Sequence, residues 1–196
     1  LEGSIFIAGA AVQWLRDSLK IIKNAKETEN LYPKNDPSQN VYLVPAFVGL
    51  GAPYWDGEAR GALFGLTRNT GIPELVKATL DSVVYQTKDL ISAMEKDSGI
   101  KIKKIKVDGG MVSNNQFVQF LSNLLMCVCL RPKINETTSL GAAYLAGYQS
   151  GIIKKFSDIN QKWKSEKKFV NKMNRKDIEK LYLGWQKAIK GALKVK

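Results

Sequence analysis

The chain has 196 residues, 44% of them hydrophobic and 24% charged, with a formal net charge of +12 and no histidine. That length holds one sizeable core, and with no run of about 18 apolar residues and no basic secretory start, the expected location is cytoplasmic with no membrane partner. The absence of histidine excludes the commonest general base and any Ser-His or Cys-His pair, so chemistry here must draw on carboxylates, lysine, backbone or a partner segment.

The chain starts at Leu1 rather than Met, which suggests a piece of something longer. Leu1 to Ile7 reads as the end of a strand feeding a helix from about Gly9 to Ile22. Gly9 and Gln13 are four apart and share one face of that helix, where they would offer a close approach beside an amide; a packing glycine and a surface glutamine fit equally well. Lys23 to Asn40, with Pro33 and Pro37, reads as a polar surface connection.

Val41 to Phe47 and Gly61 to Leu66 read as strands. Between them, Gly49 to Gly61 holds four glycines, Pro53 and the pair Tyr54 and Trp55, a composition that loops carry for function or for packing. Arg60 has Asp56 and Glu58 within reach, for an ion pair or for an anion contact. Pro73 to Ser98 is the longest expected helix. Pro73 and Glu74 suit its first turn, Val76, Leu80, Val83, Val84, Thr87, Leu90, Ile91 and Met94 form its buried stripe, and Gly99 stops it with Ile100 placed for the accompanying contact.

The following stretch, KKIKVDGGMVSNNQFVQFLSNLL from Lys103 to Leu125, carries the strongest local pattern. Ile105 to Val107 ends a strand, Asp108 to Asn114 forms a tight turn, and Gln116 to Leu125 is a helix with Phe117, Phe120, Leu121, Leu124 and Leu125 on one face. Gly109 and Gly110 lack a Cβ, so backbone there lies open to a planar base or a phosphate, while Ser113 or Asn114 caps the helix. A plain strand-to-helix turn needing positive φ has the same residues.

Cys127 and Cys129 point to one face of a short strand, Cys127 to Leu130, closed by Pro132. With no histidine and no further ligands they make no zinc site and read as buried free thiols. Asn135 to Ser150 reads as a helix made bare on one side by Gly141, Ala142, Ala143, Ala146 and Gly147, which suits close packing or a hinge. From Gly151 onward 13 lysines and Arg175 oppose four acids, so this tail carries +10 of the net charge. The lysines are spread over helical positions without an aromatic platform, which favours a solvated face over nucleic-acid binding. Asn174 caps a last helix to about Leu193, with Ile178, Leu181, Tyr182, Trp185 and Ile189 inward.

The series FIAGAAVQWLRD, VPAFVGLGAPYWDGEARGALFGLT, VDGGMVSNNQFVQF and RPKINETTSLGAAYLAG closely resembles the C-terminal half of the FGGY carbohydrate kinase family, over nearly the whole chain. Gly61 to Asp81 also looks like the family's second signature, with Gly65, Leu66, Glu74, Leu75, Ala78 and Asp81 in place. The GLGAPYWD loop and the residues after the glycine pair resemble the branch that acts on glycerol rather than those acting on xylulose or gluconate.

The resemblance implies an α/β, ribonuclease H-like domain of the actin-like ATPase superfamily. Its two domains close over a nucleotide, with TTSLGAAYLAG as a pivot. It implies ATP contacts at Gly9, Gln13, Gly110 and Asn114, ATP or ADP as partner, Mg²⁺ held mainly by the nucleotide phosphates, and phosphoryl transfer to glycerol. The phosphate loops, catalytic base and glycerol contacts would precede Leu1, so no catalytic and no metal residue is assigned here and the chain alone is expected to be inactive. The first two strands of the domain would also be missing, splitting the sheet and leaving an edge unpaired. Family members form oligomers. Two other readings keep their place: another sugar or polyol kinase of the family, and a basic non-catalytic module.

Overall fold

A computed structural model describes residues 2–33, 41–134, 136–162 and 164–194. In order the elements are α1 (Gly9–Asp17), α2 (Glu27–Leu31), β1 (Tyr42–Val44), β2 (Ala62–Phe64), α3 (Ile72–Ser98), β3 (Lys104–Lys106), a 3-10 turn (Gly110–Ser113), α4 (Asn115–Leu125), β4 (Val128–Pro132), α5 (Thr137–Gln149), α6 (Ser157–Lys162), β5 (Ser165–Phe169) and α7 (Arg175–Ala192).

The centre is α3, against which α1, α2, α4 and β1 all pack. Its start is closed by Glu74, whose Oε2 accepts the N–H of Gly71 at 2.8 Å, and its end by Gly99 at φ 70°. Val76, Leu80, Val83 and Val84 are buried as the helical period predicts, Thr87, Leu90, Ile91 and Met94 only partly, and Ile100 stays 69% exposed. Two carboxylates, Asp81 and Asp89, are buried on the same helix, one turn to either side of Tyr85.

Tyr85 stacks on Trp185 of α7 at 5.2 Å and 10° and meets Phe120 of α4 edge-on at 5.7 Å. Asp81 accepts the Tyr32 hydroxyl at 2.6 Å and pairs with Lys77 one turn away. Asp89 accepts the Tyr54 hydroxyl at 2.8 Å and the Trp185 Nε1–H at 2.7 Å on one oxygen and the Tyr182 hydroxyl on the other. Burial pushes both carboxyls above their ordinary pKa, against the opposing pull of these donors.

The strands form two sheets. β1 and β2 pair antiparallel, Tyr42 opposite Phe64; in the other, β3 runs parallel to β4 and β4 antiparallel to β5, the order ending at β3. Ile105, Cys129 and Phe169 stand in one row of that sheet, with Cys129 and Phe169 buried in the core. Cys127 is buried too, and both thiols are free as expected. α7 lies across β1 and β2, where Gly184 admits Tyr42: a Cβ there would sit 2.1 Å from the Tyr42 oxygen, whose hydroxyl donates to Leu181 O at 3.1 Å.

Several expectations are corrected. Residues 2–8 contain no strand, since nothing among the described residues pairs with them; Ile7 is instead fixed by its carbonyl, which accepts from Gln86 Nε2 at 3.2 Å. α1 stops at Asp17 because the chain turns at Lys20, φ 56°. The connection after Lys23 contains α2, while 34–40, and Asn135 at the expected start of α5, lie outside the described residues. β5 arises in a charged segment with no predicted strand; pairing with β4 and burial of Phe169 fix it.

Replacing Asp89 with Ala strands three donors in the core and is expected to cost about 3–5 kcal/mol in denaturant unfolding. With Asp89→Asn the effect depends on pH. A carboxyl raised in the fold above its ordinary 3.8 binds its proton more tightly when native. The stability of wild type relative to Asp89→Asn is therefore greatest below that value and falls as pH rises through the native pKa. A difference that grows with pH would contradict this sign. Gly184→Ala, which forces Tyr42 aside, is expected to lose about 1–3 kcal/mol in the same assay.

Candidate functional site

β3 delivers the chain into the turn at Gly109, whose φ of 89° favours a glycine, and Gly110 opens the 3-10 turn. Both glycines are exposed, and a Cβ built on either meets nothing within 4 Å. Asn114 then caps α4: its Oδ1 accepts the N–H groups of Gln116 at 2.9 Å and Phe117 at 3.0 Å. Its Nδ2 donates to Thr28 Oγ1 at 3.1 Å, so this buried side chain has one amide hydrogen left over among the described contacts.

Gly9 and Gln13 lie on α1, both exposed, Gly9 at its first residue with open space around it. Ala8, preceding it, offers no side-chain cap, so the first N–H groups of α1 carry no such partner. The four candidates thus lie on two stretches that both rest on α3: Gly110 and Asn114 in the turn leading into α4, Gly9 at the start of α1 and Gln13 one turn further along it.

Other side chains at the turn were not singled out by the sequence reading. Arg131 Nη1 donates to Val112 O at 2.9 Å and Ser113 O at 3.2 Å. Glu29 Oε1 accepts both the backbone N–H of Asn115 at 3.1 Å and its Nδ2 at 2.8 Å, and Lys167 Nζ donates to Asn115 Oδ1 at 2.8 Å. The signal for Arg131 was its position: two residues after Cys129, it lies on the strand's inward face, where a charge needs partners. Thr28 and Glu29 are 86 residues from the asparagines they bind, and no local pattern announces them.

The loop from Gly49 to Gly61 is tied to α3 at one point and closed by its own hydrogen bonds, while Trp55 stays 74% exposed. Tyr54 reaches Asp89, and Asp56 Oδ1 accepts the N–H groups of Glu58 at 2.9 Å and Ala59 at 3.0 Å. Arg60 lies 3.9 Å from Glu58 with both side chains largely exposed, a weak surface pair. A groove of about 900 Å³ runs beside this loop, lined by Glu2, Pro53, Trp55, Asp89, Asp97 and Gln186 among others, and none of the four candidates borders it. Among the described residues no group of three or more Cys, Asp or Glu side chains could hold a metal, and no helix is long and apolar enough to cross a membrane.

Comparison with known proteins matches residues 1–150 to the C-terminal domain of the FGGY family of carbohydrate kinases. Over 196 residues the chain is 54% identical to the glycerol kinase of Geobacillus sp. (strain WCH70), covering 100% of this chain and 40% of that protein. It is 54% identical over 192 residues to the glycerol kinase of Halalkalibacterium halodurans, covering 98% of this chain and 39% of that one. Its structure superposes on Plasmodium falciparum glycerol kinase with ADP at a TM-score of 0.87 and 34% identity, over 97% of this chain and 38% of that chain. The chain therefore spans about 40% of the length of the curated relatives it matches, and its α/β architecture is consistent with an actin-like ATPase fold. Family match, relatives and fold agree: the chain belongs to the FGGY family of carbohydrate kinases and corresponds to its C-terminal domain.

Proposed function

We propose that this chain is the nucleotide-binding side of an ATP-dependent kinase that transfers the γ-phosphoryl group of ATP to glycerol, giving sn-glycerol 3-phosphate. The observation that carries the reading is the turn between β3 and α4. It is an exposed glycine pair with open space over both residues, fixed at the N-terminus of a well-capped helix. The acceptor is taken from the glycerol kinases that are 54% identical to the chain. A cytoplasmic location goes with this reading.

In this proposal Gly110 lets the adenosine portion lie against peptide, and Asn114 meets it with its remaining amide hydrogen. Gly9 and Gln13 border the nucleotide from α1, whose uncapped N–H groups favour negative charge. Mg²⁺ would neutralise charge developing on the transferred phosphoryl group. In this proposal the ion is held mainly through the nucleotide phosphates and by residues outside this sequence. The base that takes the glycerol proton and the groups that bind glycerol would lie there too. The contribution of this chain is to seat and orient the nucleotide, the part of phosphoryl transfer that depends on alignment.

The test is ADP production by the intact protein with glycerol, xylulose and gluconate as acceptors. Glycerol is expected to give the highest kcat/KM; a higher value for either of the others would move the assignment to another member of the family. In the same assay Gly110→Val, which places a branched side chain over the open backbone, is expected to raise KM for MgATP about tenfold or more while leaving KM for glycerol unchanged. An unchanged KM for MgATP would remove Gly110 from the nucleotide site.

A further inference from the structure

We infer that Arg131 and Glu29 are positioning residues for the nucleotide, holding the 110–115 turn in shape from behind; this rests on the reading of that turn as nucleotide-binding. The last carbonyls of a helical turn lack partners within it. Here those of Val112 and Ser113 are both taken by one guanidinium nitrogen of Arg131, at 2.9 and 3.2 Å. The Arg131 side chain is only 8% exposed; its Nε pairs with Glu166 at 3.0 Å, and its guanidinium carbon sits 5.5 Å from the Phe169 ring centroid.

Closing a short turn does not require a buried cation, and burying one is costly unless its partners are fixed. Among the described residues the polar contacts of the Arg131 side chain are the turn and the one carboxylate that balances it. On the flank, Glu29 of α2 holds Asn115 by both its backbone N–H and its side-chain amide, at 3.1 and 2.8 Å. Residues 112–115 are thus tied to a helix and a strand from other parts of the chain. Gly109 and Gly110, immediately before them, have nothing within 4 Å of a Cβ position. Support on one side and open backbone on the other is the arrangement of a ligand platform, in which affinity depends on how rigidly the turn is held.

The experiment is steady-state kinetics on the intact protein with Arg131→Met, Arg131→Lys and Glu29→Ala, alongside calorimetric binding of MgADP and thermal unfolding. Ile189→Val, a buried change in α7, controls for lost stability. Arg131→Met and Glu29→Ala are expected to raise KM for MgATP and Kd for MgADP about tenfold, with KM for glycerol changed less than about twofold. Lysine, a point charge without the planar fork, is expected to restore only part of the loss. The control is expected to move neither KM.

Wild-type nucleotide affinity in Arg131→Met, or an equal rise in both KM values, would overturn the inference while leaving the proposed function standing. Should Arg131→Met not fold, Glu29→Ala decides alone, because Glu29 is only half-buried; unchanged affinity there would overturn the inference equally. A wild-type protein that binds no MgADP would overturn both the inference and the reading beneath it.

Discussion

The constraint on which the structure depends is the placement of two carboxylates inside a helix interface. Asp81 and Asp89 are each about 95% or more buried on α3, and between them Tyr85 stacks on Trp185. A buried carboxylate without donors would be intolerable, so each dictates what surrounds it. Asp81 requires Tyr32 and Lys77; Asp89 requires Tyr54, Tyr182 and Trp185. Apart from Lys77, which lies on α3 itself, those partners come from the segment after α2, the loop before β2, and α7, parts of the chain far apart in sequence. Apolar packing would let such elements slide; directional bonds to fixed oxygens define where each one docks.

The candidate site inherits this order. α2 is held near α3 by Tyr32, one residue beyond its end, and α2 presents Thr28 and Glu29 to the start of α4. β4 presents Arg131 to the same turn, and β5 contributes Lys167. The exposed glycines therefore sit on a rigid base although they make few contacts themselves. Such a division suits phosphoryl transfer, where the protein contributes chiefly by alignment and by placing charge.

Much of this was legible in the sequence, for identifiable reasons. α3, α4 and α7 announce themselves because each combines a helical apolar stripe with terminal chemistry: Glu74 and Gly99, Asn114, and Asn174, which accepts the Asp177 N–H at 2.9 Å. The glycine pair marked the turn because Gly109 takes a positive φ of 89° and both residues leave the backbone open. What stayed hidden depends on partners distant in sequence. α2 has five residues and no apolar stripe of its own. β5 reads SEKKF, a charged surface until pairing with β4 turns Phe169 inward and sends Lys167 to Asn115. The expected strand before α1 needs a neighbour to pair with, and residues 2–8 meet none among those described.

The buried acids also show where periodicity misleads. Asp81 fell on a family signature and Asp89 on no motif, and a stripe drawn from apolar residues alone passes over both. Their burial became visible only once the hydroxyls and indole of other segments were in place. The same holds for Arg131, whose inward position on β4 was readable but whose target, two carbonyls of the preceding turn, was not.

Hydrogen–deuterium exchange of the intact protein with and without MgADP tests the central claim most directly. The account predicts slowed exchange in the segments around Gly9 to Gln13 and Asp108 to Gln116, with little change along the groove beside Trp55 and Asp97. Protection confined to that groove, or absent from both predicted segments under saturating nucleotide, would contradict it.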